Sequence, residues 1–265
     1  MAEGRHYSAT VRGAILALTV AMGACAPAFG QTFDVKQLDV AKGSFDINFD
    51  STVQRGLPPG GGFDRSSHEL GANYGLTDWW RISALLNISN PPDAGVRIAT
   101  AALENIFVLK PISEKADRDA GLGWFAYVEV ATEQTSTNAA IFGPILGAKI
   151  DRLSLTANPF LKQTFGRNHI DGIAFTYAWQ AKLEVTKTIS IGVEGFGAID
   201  NIGNAPRLSE QEHRIGPVLF TEWDLGNGVT LNPDFGVFFG LTNGSPDLAV
   251  KVNVGIPLIK PAKSE

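Results

Sequence analysis

The sequence predicts an all-β chain, a transmembrane antiparallel up-and-down β-barrel of about 12 strands. Three observations carry that expectation. Apolar residues recur at every second position through segment after segment, which places them on one face of a strand. No second layer is present to cover those faces, so lipid has to do it, with a polar interior behind the wall. Connections also alternate between tight turns and longer stretches rich in Gly, Pro or Asn, the asymmetry of barrels with short periplasmic turns and longer external loops.

The clearest stretch is residues 172–199. Phe175, Tyr177, Trp179, Ala181, Leu183 and Val185 alternate with Ala174, Thr176, Ala178, Gln180, Lys182 and Glu184; after a minimal turn, Ile189, Ile191 and Val193 alternate with Ser190, Gly192 and Glu194. Composition agrees. No run of about 20 apolar residues offers a transmembrane helix, and a charged fraction of 18% is low for a soluble domain.

The start reads as a secretory signal, residues 1–30: Arg5 and Arg12, an apolar run from Gly13 to Ala24, then Ala28-Phe29-Gly30 before Gln31 as a small-x-small cleavage site. Met22-Gly23-Ala24-Cys25 is a loose lipobox and the rival reading. Cys25 is the only cysteine, so cleavage after Gly30 leaves none for disulfides, iron–sulfur clusters or nucleophilic chemistry. The remainder carries 20 basic against 26 acidic residues, a net charge of about −6, which excludes a basic nucleic-acid face.

Residues 31–42 read as a polar periplasmic lead, residues 43–258 as the barrel and 259–265 as a polar tail. Strands are expected at 43–56, 66–76, 79–89, 96–109, 121–132, 139–150, 153–165, the two segments of 172–199, then 212–225, 229–241 and 247–258. The fourth alternates badly around Glu104 and Asn105, and its facing stays open. Pro144, Pro159, Pro217 and Pro233 fall inside expected strands, where each removes a ladder donor and calls for a bulge. Tyr74, Trp80, Trp124, Tyr177, Trp179 and Trp223 suit aromatic girdles.

The inward set is of mixed sign. Asp46, Asp50, Glu69, Glu129, Glu184, Glu194, Glu222, Asp224 and Asp234 face Arg81, Lys149, Lys162, Lys182, Arg214 and Lys251. Such a lining fits either a lumen plugged by paired charges or a wet path. Small inward residues (Gly71, Gly75, Gly143, Gly147, Gly192, Gly216, Gly236 and Gly255) leave room and favour a narrow passage.

Glu69-Leu70-Gly71-Ala72-Asn73-Tyr74-Gly75-Leu76-Thr77-Asp78-Trp79-Trp80 resembles the E-L-x-x-x-Y-G-L-T-D-x-W hairpin of a large family of proteobacterial outer-membrane barrels, labelled phenol-degradation meta-pathway proteins or transporters. Leu241 to Asp247 resembles that family's loop before its closing strand. The resemblance implies a barrel passing hydrophobic or aromatic compounds, and carries no functional residues with it. One departure is the end of the chain: Leu258 precedes a polar tail, where outer-membrane barrels commonly end on an aromatic residue recognised by the assembly machinery.

His68, with Ser66 and Ser67 beside it, His169 near Asp171, and His213 all fall at expected external ends. A rim hydrolase would need a nucleophile, base and orienting group in hydrogen-bond reach. No metal-ligand spacing and no phosphate or dinucleotide loop accompanies them, so no cofactor is expected. The expected function is passive transport of a small, hydrophobic or aromatic solute across the outer membrane, with lipids and the assembly machinery as partners. A plugged structural or adhesive barrel is the alternative, and an outer-membrane hydrolase the third.

Overall fold

The computed structural model describes residues 33–58, 63–92, 95–113, 115–134, 136–167, 169–226 and 229–259. The signal segment with Cys25, the tail beyond Ile259 and the tip of the Gly226-Asn227-Gly228 turn lie outside them. Among the described residues β1 (Phe45–Arg55), β2 (Ser66–Gly75), β3 (Trp80–Asn90) and β4 (Arg97–Lys110) are followed by β5 (Arg118–Ala131), β6 (Asn138–Ile150), β7 (Leu153–Phe165) and β8 (Ile173–Glu184). Then come β9 (Ile189–Ile199), β10 (Glu212–Thr221), the short β11 (Trp223–Gly226), β12 (Val229–Gly240) and β13 (Leu248–Ile259). Apart from β10 and β11, each strand pairs antiparallel with the next, and β1 pairs with β13 from Phe45↔Ile259 to Arg55↔Leu248, so the sheet closes. β10 and β11 both pair with β12 and form one stave broken at Glu222; the barrel has twelve staves.

Alternation sets the faces. On β2, Leu70, Ala72 and Tyr74 are exposed while Glu69, Gly71 and Asn73 are buried inside. The outer surface is apolar, with Leu86, Leu103, Val128, Leu146, Ile191 and Phe239 all exposed. No helix is long and apolar enough to cross a membrane among the described residues. Near the end that carries the short turns, Trp80 stacks on Trp79 and Phe107 at centroid distances of 6.2 and 5.8 Å.

The four prolines sit where the ladder is already interrupted. β6–β7 pairing runs to Phe142↔Leu161 and resumes at Leu146↔Ala157, with Pro144 and Pro159 in the gap. β10–β12 pairing skips from Ile215↔Phe239 to Val218↔Gly236, with Pro217 between. Pro233 pairs with Val254 on one side and faces the β10–β11 break on the other. A missing N–H costs nothing where no partner carbonyl is in register.

β4 explains its own poor alternation. A bulge at Ala99 shifts the register between Asn87↔Thr100 and Ile88↔Ile98. Beyond it Glu104, Ile106 and Val108 are buried inside, while Asn105 points out and accepts a hydrogen bond from Trp80 Nε1 at 3.0 Å. An apolar interior face and a paired polar outer residue reverse the usual signal.

Candidate functional site: a lumen occupied by the N-terminal segment

The stretch expected to be a periplasmic lead instead threads the barrel. Residues 33–41 run inside the wall, entering at the turn end, where Gly43 N–H donates to Gly75 O and Lys42 N–H to Asp78 Oδ1. The first described residue, Phe33, is only 3% exposed. Its ring stacks on Phe196 at 4.7 Å, meets Phe238 edge-on at 5.2 Å and lies 4.9 Å from the Arg214 guanidinium. Phe33 and Val35 belong to one buried apolar cluster with Phe196, Val218, Phe238 and Ala249. Leu38 and Val40 pack on a second, formed by Leu85, Ile106, Val108, Phe125, Ile145 and Phe160.

Polar groups of the wall hold the backbone between those clusters. Asn158, fully buried, accepts from Lys36 N–H at 2.7 Å and donates to Lys36 O at 3.1 Å, as a strand partner would. Thr156 Oγ1 donates to Gln37 Oε1 at 2.9 Å, and Asn253 Nδ2 donates to Phe33 O at 2.9 Å. The Asn158 and Asn253 bonds satisfy backbone groups that would otherwise be stranded in an enclosed space. Lys36 Nζ bridges Asp34 (2.7 Å) and Glu104 (2.6 Å).

Of the glycines expected inward, Gly75 and Gly147 leave room for this segment, while Gly71, Gly143, Gly192, Gly216 and Gly236 are packed by neighbouring wall residues. A Cβ on Gly75 would collide with Ala41 O, and one on Gly123 would come within 2.5 Å of Leu38 Cδ2. Gly121 and Gly147 are similarly filled by Leu38 and Ile112. The remaining space divides into cavities. One, of about 330 Å³, opens at the loop end; one of about 850 Å³ lies at the turn end; a third of about 250 Å³ lies between the segment and β1–β3.

The structure brings several of the inward charges together. Lys251, 1% exposed, donates to Glu194 Oε2 at 2.7 Å and lies 3.2 Å from Asp234. Gln180 joins them by donating to Glu194 Oε1 at 2.8 Å. Arg81 lies 3.4 Å from Glu104, and Arg214 is 2.5 Å from Glu212. Asp46 and Asp50 tie into Asn73 (2.6 Å) and Asn48 (2.5 Å), and Glu69 lies beside them in the third cavity. Glu129 and Lys162 line the loop-end cavity; Lys149, Lys182, Glu184 and Glu222 line the turn-end one. Asp224 departs from expectation: it is exposed on β11 and accepts from Gly226 N–H, because the stave breaks at Glu222. Sequence reasoning missed Asp34, Lys36 and Glu212, and left the facing of Glu104 open. The available signal was the apolar spacing Phe33, Val35, Leu38, Val40 in a stretch otherwise polar.

The histidines stay apart. His68 Nδ1 is 2.9 Å from Ser51 Oγ, His169 lies 3.3 Å from Asp171, and His213 is held between Tyr177 OH (2.8 Å) and Gln211 Oε1 (3.0 Å). No group of three or more potential metal ligands occurs among the described residues. In the β1–β2 loop, burial raises the Asp64 carboxyl above its ordinary range, while the Ser89 and Ser67 hydroxyls that donate to it oppose the shift.

A closed twelve-stave barrel with a threaded lumen defines an outer-membrane-type β-barrel fold. It is similar to the COG4313 outer membrane channel from Pseudomonas putida F1, with a TM-score of 0.60 and 10% identity over 86% of this chain and 99% of that one. It is also similar to the KdgM porin in complex with disordered oligogalacturonate, with a TM-score of 0.51 and 13% identity over 82% and 99%. At these identities the likeness establishes the fold. No protein-family model matches the chain, and no curated protein matches it.

Proposed function

We propose that this chain is an outer-membrane channel for a small solute, described here with its lumen closed by its own N-terminal segment. One observation carries the reading. The barrier is a nine-residue stretch of the chain itself, seated on hydrogen bonds and apolar contacts, with a cavity on either side of it. A barrel built only to be a scaffold needs no such removable element, since about eight staves fill with side chains alone. The turn end then faces the periplasm and the longer loops face outward, after export by the cleaved 1–30 signal and insertion by the assembly machinery. Lipid covers the apolar face. The resemblance to the phenol-degradation family supports an apolar or aromatic solute, and so do the phenylalanines around the loop-end cavity.

Purified protein in planar bilayers tests the reading. The full chain should show low or intermittent conductance, and a variant lacking residues 33–41 should conduct steadily. A variant that is folded and silent would leave the plugged scaffold.

A further inference from the structure

We propose that the loop-end cavity is a binding site for a small organic cation, a primary ammonium carried on an apolar or aromatic body. The inference rests on the channel reading for its physiological meaning, but not for its geometry. Six carboxylates line the cavity, Asp34, Asp64, Glu69, Glu104, Glu129 and Glu212, against four cations, the Lys36 and Lys162 ammonium groups and the Arg81 and Arg214 guanidiniums paired with Glu104 and Glu212. Such an imbalance inside low-dielectric walls focuses a negative potential at the mouth and raises the local concentration of cations.

The carboxylates are not equally available. Glu212 is committed to Arg214, and Asp34 and Glu104 to Lys36. Glu129 differs. Its Oε2 accepts from Thr100 Oγ1 at 3.0 Å and from Tyr127 OH at 3.1 Å, and Asn87 Nδ2 donates to both of those oxygens at 2.9 Å. Every group in this network is neutral except the carboxylate. The arrangement fixes Glu129 in place without neutralising it, the condition for a carboxylate that receives its counter-charge from a ligand.

The wall beside it is aromatic. Tyr127 and Phe125 lie nearly parallel, 6.1 Å apart at 12°, and Phe160 stacks on Phe125 at 4.5 Å. An ammonium near a ring face gains cation–π attraction while an attached apolar body covers the rings.

The chain itself shows what this floor accepts. Lys36 places a primary ammonium on an alkyl stem 2.6 Å from Glu104 and 5.7 Å from the Phe125 centroid, at the bottom of the same cavity. A free alkyl- or arylalkylammonium presents the same groups to Glu129, one layer further out.

The test uses full-length protein in detergent and 2-phenylethylammonium, with phenylacetate and benzyl alcohol as anionic and neutral analogues, by titration calorimetry. The cation should bind, the anion should not, and Glu129→Gln should weaken the cation about tenfold or more, the scale for losing a charge-assisted hydrogen bond. Glu129→Asp should restore part of the affinity, and resistance of the barrel to unfolding in detergent confirms that each variant is folded. Equal binding of cation and anion, or unchanged affinity in folded Glu129→Gln, would overturn the site. Bilayer recording of the variant lacking residues 33–41 separates the two proposals. Steady conductance without cation binding removes only the site, whereas binding with no conductance removes only the channel.

Discussion

The two mouths of the lumen are built differently. The loop-end cavity is small, walled on one side by Phe125 and Tyr127, and its carboxylates outnumber its ammonium groups. The turn-end cavity is more than twice as large. Its Lys149, Arg152, Lys182, Lys187 and Lys251 nearly balance Asp34, Asp39, Glu184, Glu194, Glu222 and Asp234. The segment between them is asymmetric in the same sense. Phe33 packs among rings toward the loop end, and residues 42–43 are held at the turn-end rim beside Gly75. If the chain is a channel, the difference teaches that selection and closure are separable: charge and rings are concentrated in the outer chamber, and the larger volume lies in the inner one.

The largest effect should come from removing the divider. Deleting residues 33–41 joins the chambers, and conductance in planar bilayers should rise by about an order of magnitude or more over the full chain, the scale on which a narrow lumen changes from filled to wet. The same deletion exposes Ile106, Val108, Ile145 and Phe238 to lumen water, so the thermal midpoint should fall as well. Unaltered conductance in a folded barrel would mean that the chambers are already continuous.

Phe33→Ala acts on a single ring of the segment. Removing a ring packed between Phe196 and Phe238 costs about 3 kcal/mol of seating, so open events should become about a hundredfold more frequent relative to closed. Accessibility of a cysteine placed at residue 35 would report the same shift. Gly123→Val approaches from the wall: a Cβ there meets Leu38 Cδ2 at 2.5 Å and Phe107 O at 2.9 Å, so it should loosen the segment and also strain the β4–β5 pairing beside it.

How much of this was legible in the sequence follows from what each residue faces. Where one side of a strand meets lipid and the other meets water or charge, as on β8 with Leu183 outward and Gln180 inward, alternation reveals the stave directly. The rule fails on β4, because Ile106 and Val108 face an interior made apolar by Leu38 and Val40. The threaded segment was illegible for a related reason. Nine residues with two apolar pairs, Phe33/Val35 and Leu38/Val40, follow neither a strand nor a helix period across their whole length, and partners such as Asn158 and Asn253 lie more than a hundred residues away. The inward glycines did announce a space, but a space and its occupant are different facts.

Charge in the inner chamber should matter to stability more than to selection. Lys251 is enclosed with Glu194 and Asp234, and Lys251→Met leaves two carboxylates facing each other without their cation. Breaking a buried pair from one side costs about 3–5 kcal/mol, read as a lower midpoint in denaturant. The smallest effect is expected at Lys182, whose Nζ lies over the Phe220 ring at 4.6 Å in a chamber of nearly balanced sign. Lys182→Gln, made in the variant lacking residues 33–41, should move the cation-to-anion permeability ratio by less than about twofold, because screening within about 8 Å mutes one charge among many in a wide aqueous mouth. Glu129→Gln in the same background should move that ratio several times further. Equal shifts from the two substitutions would mean that the field is set by the lumen as a whole, and the contrast between the chambers would lose its functional content.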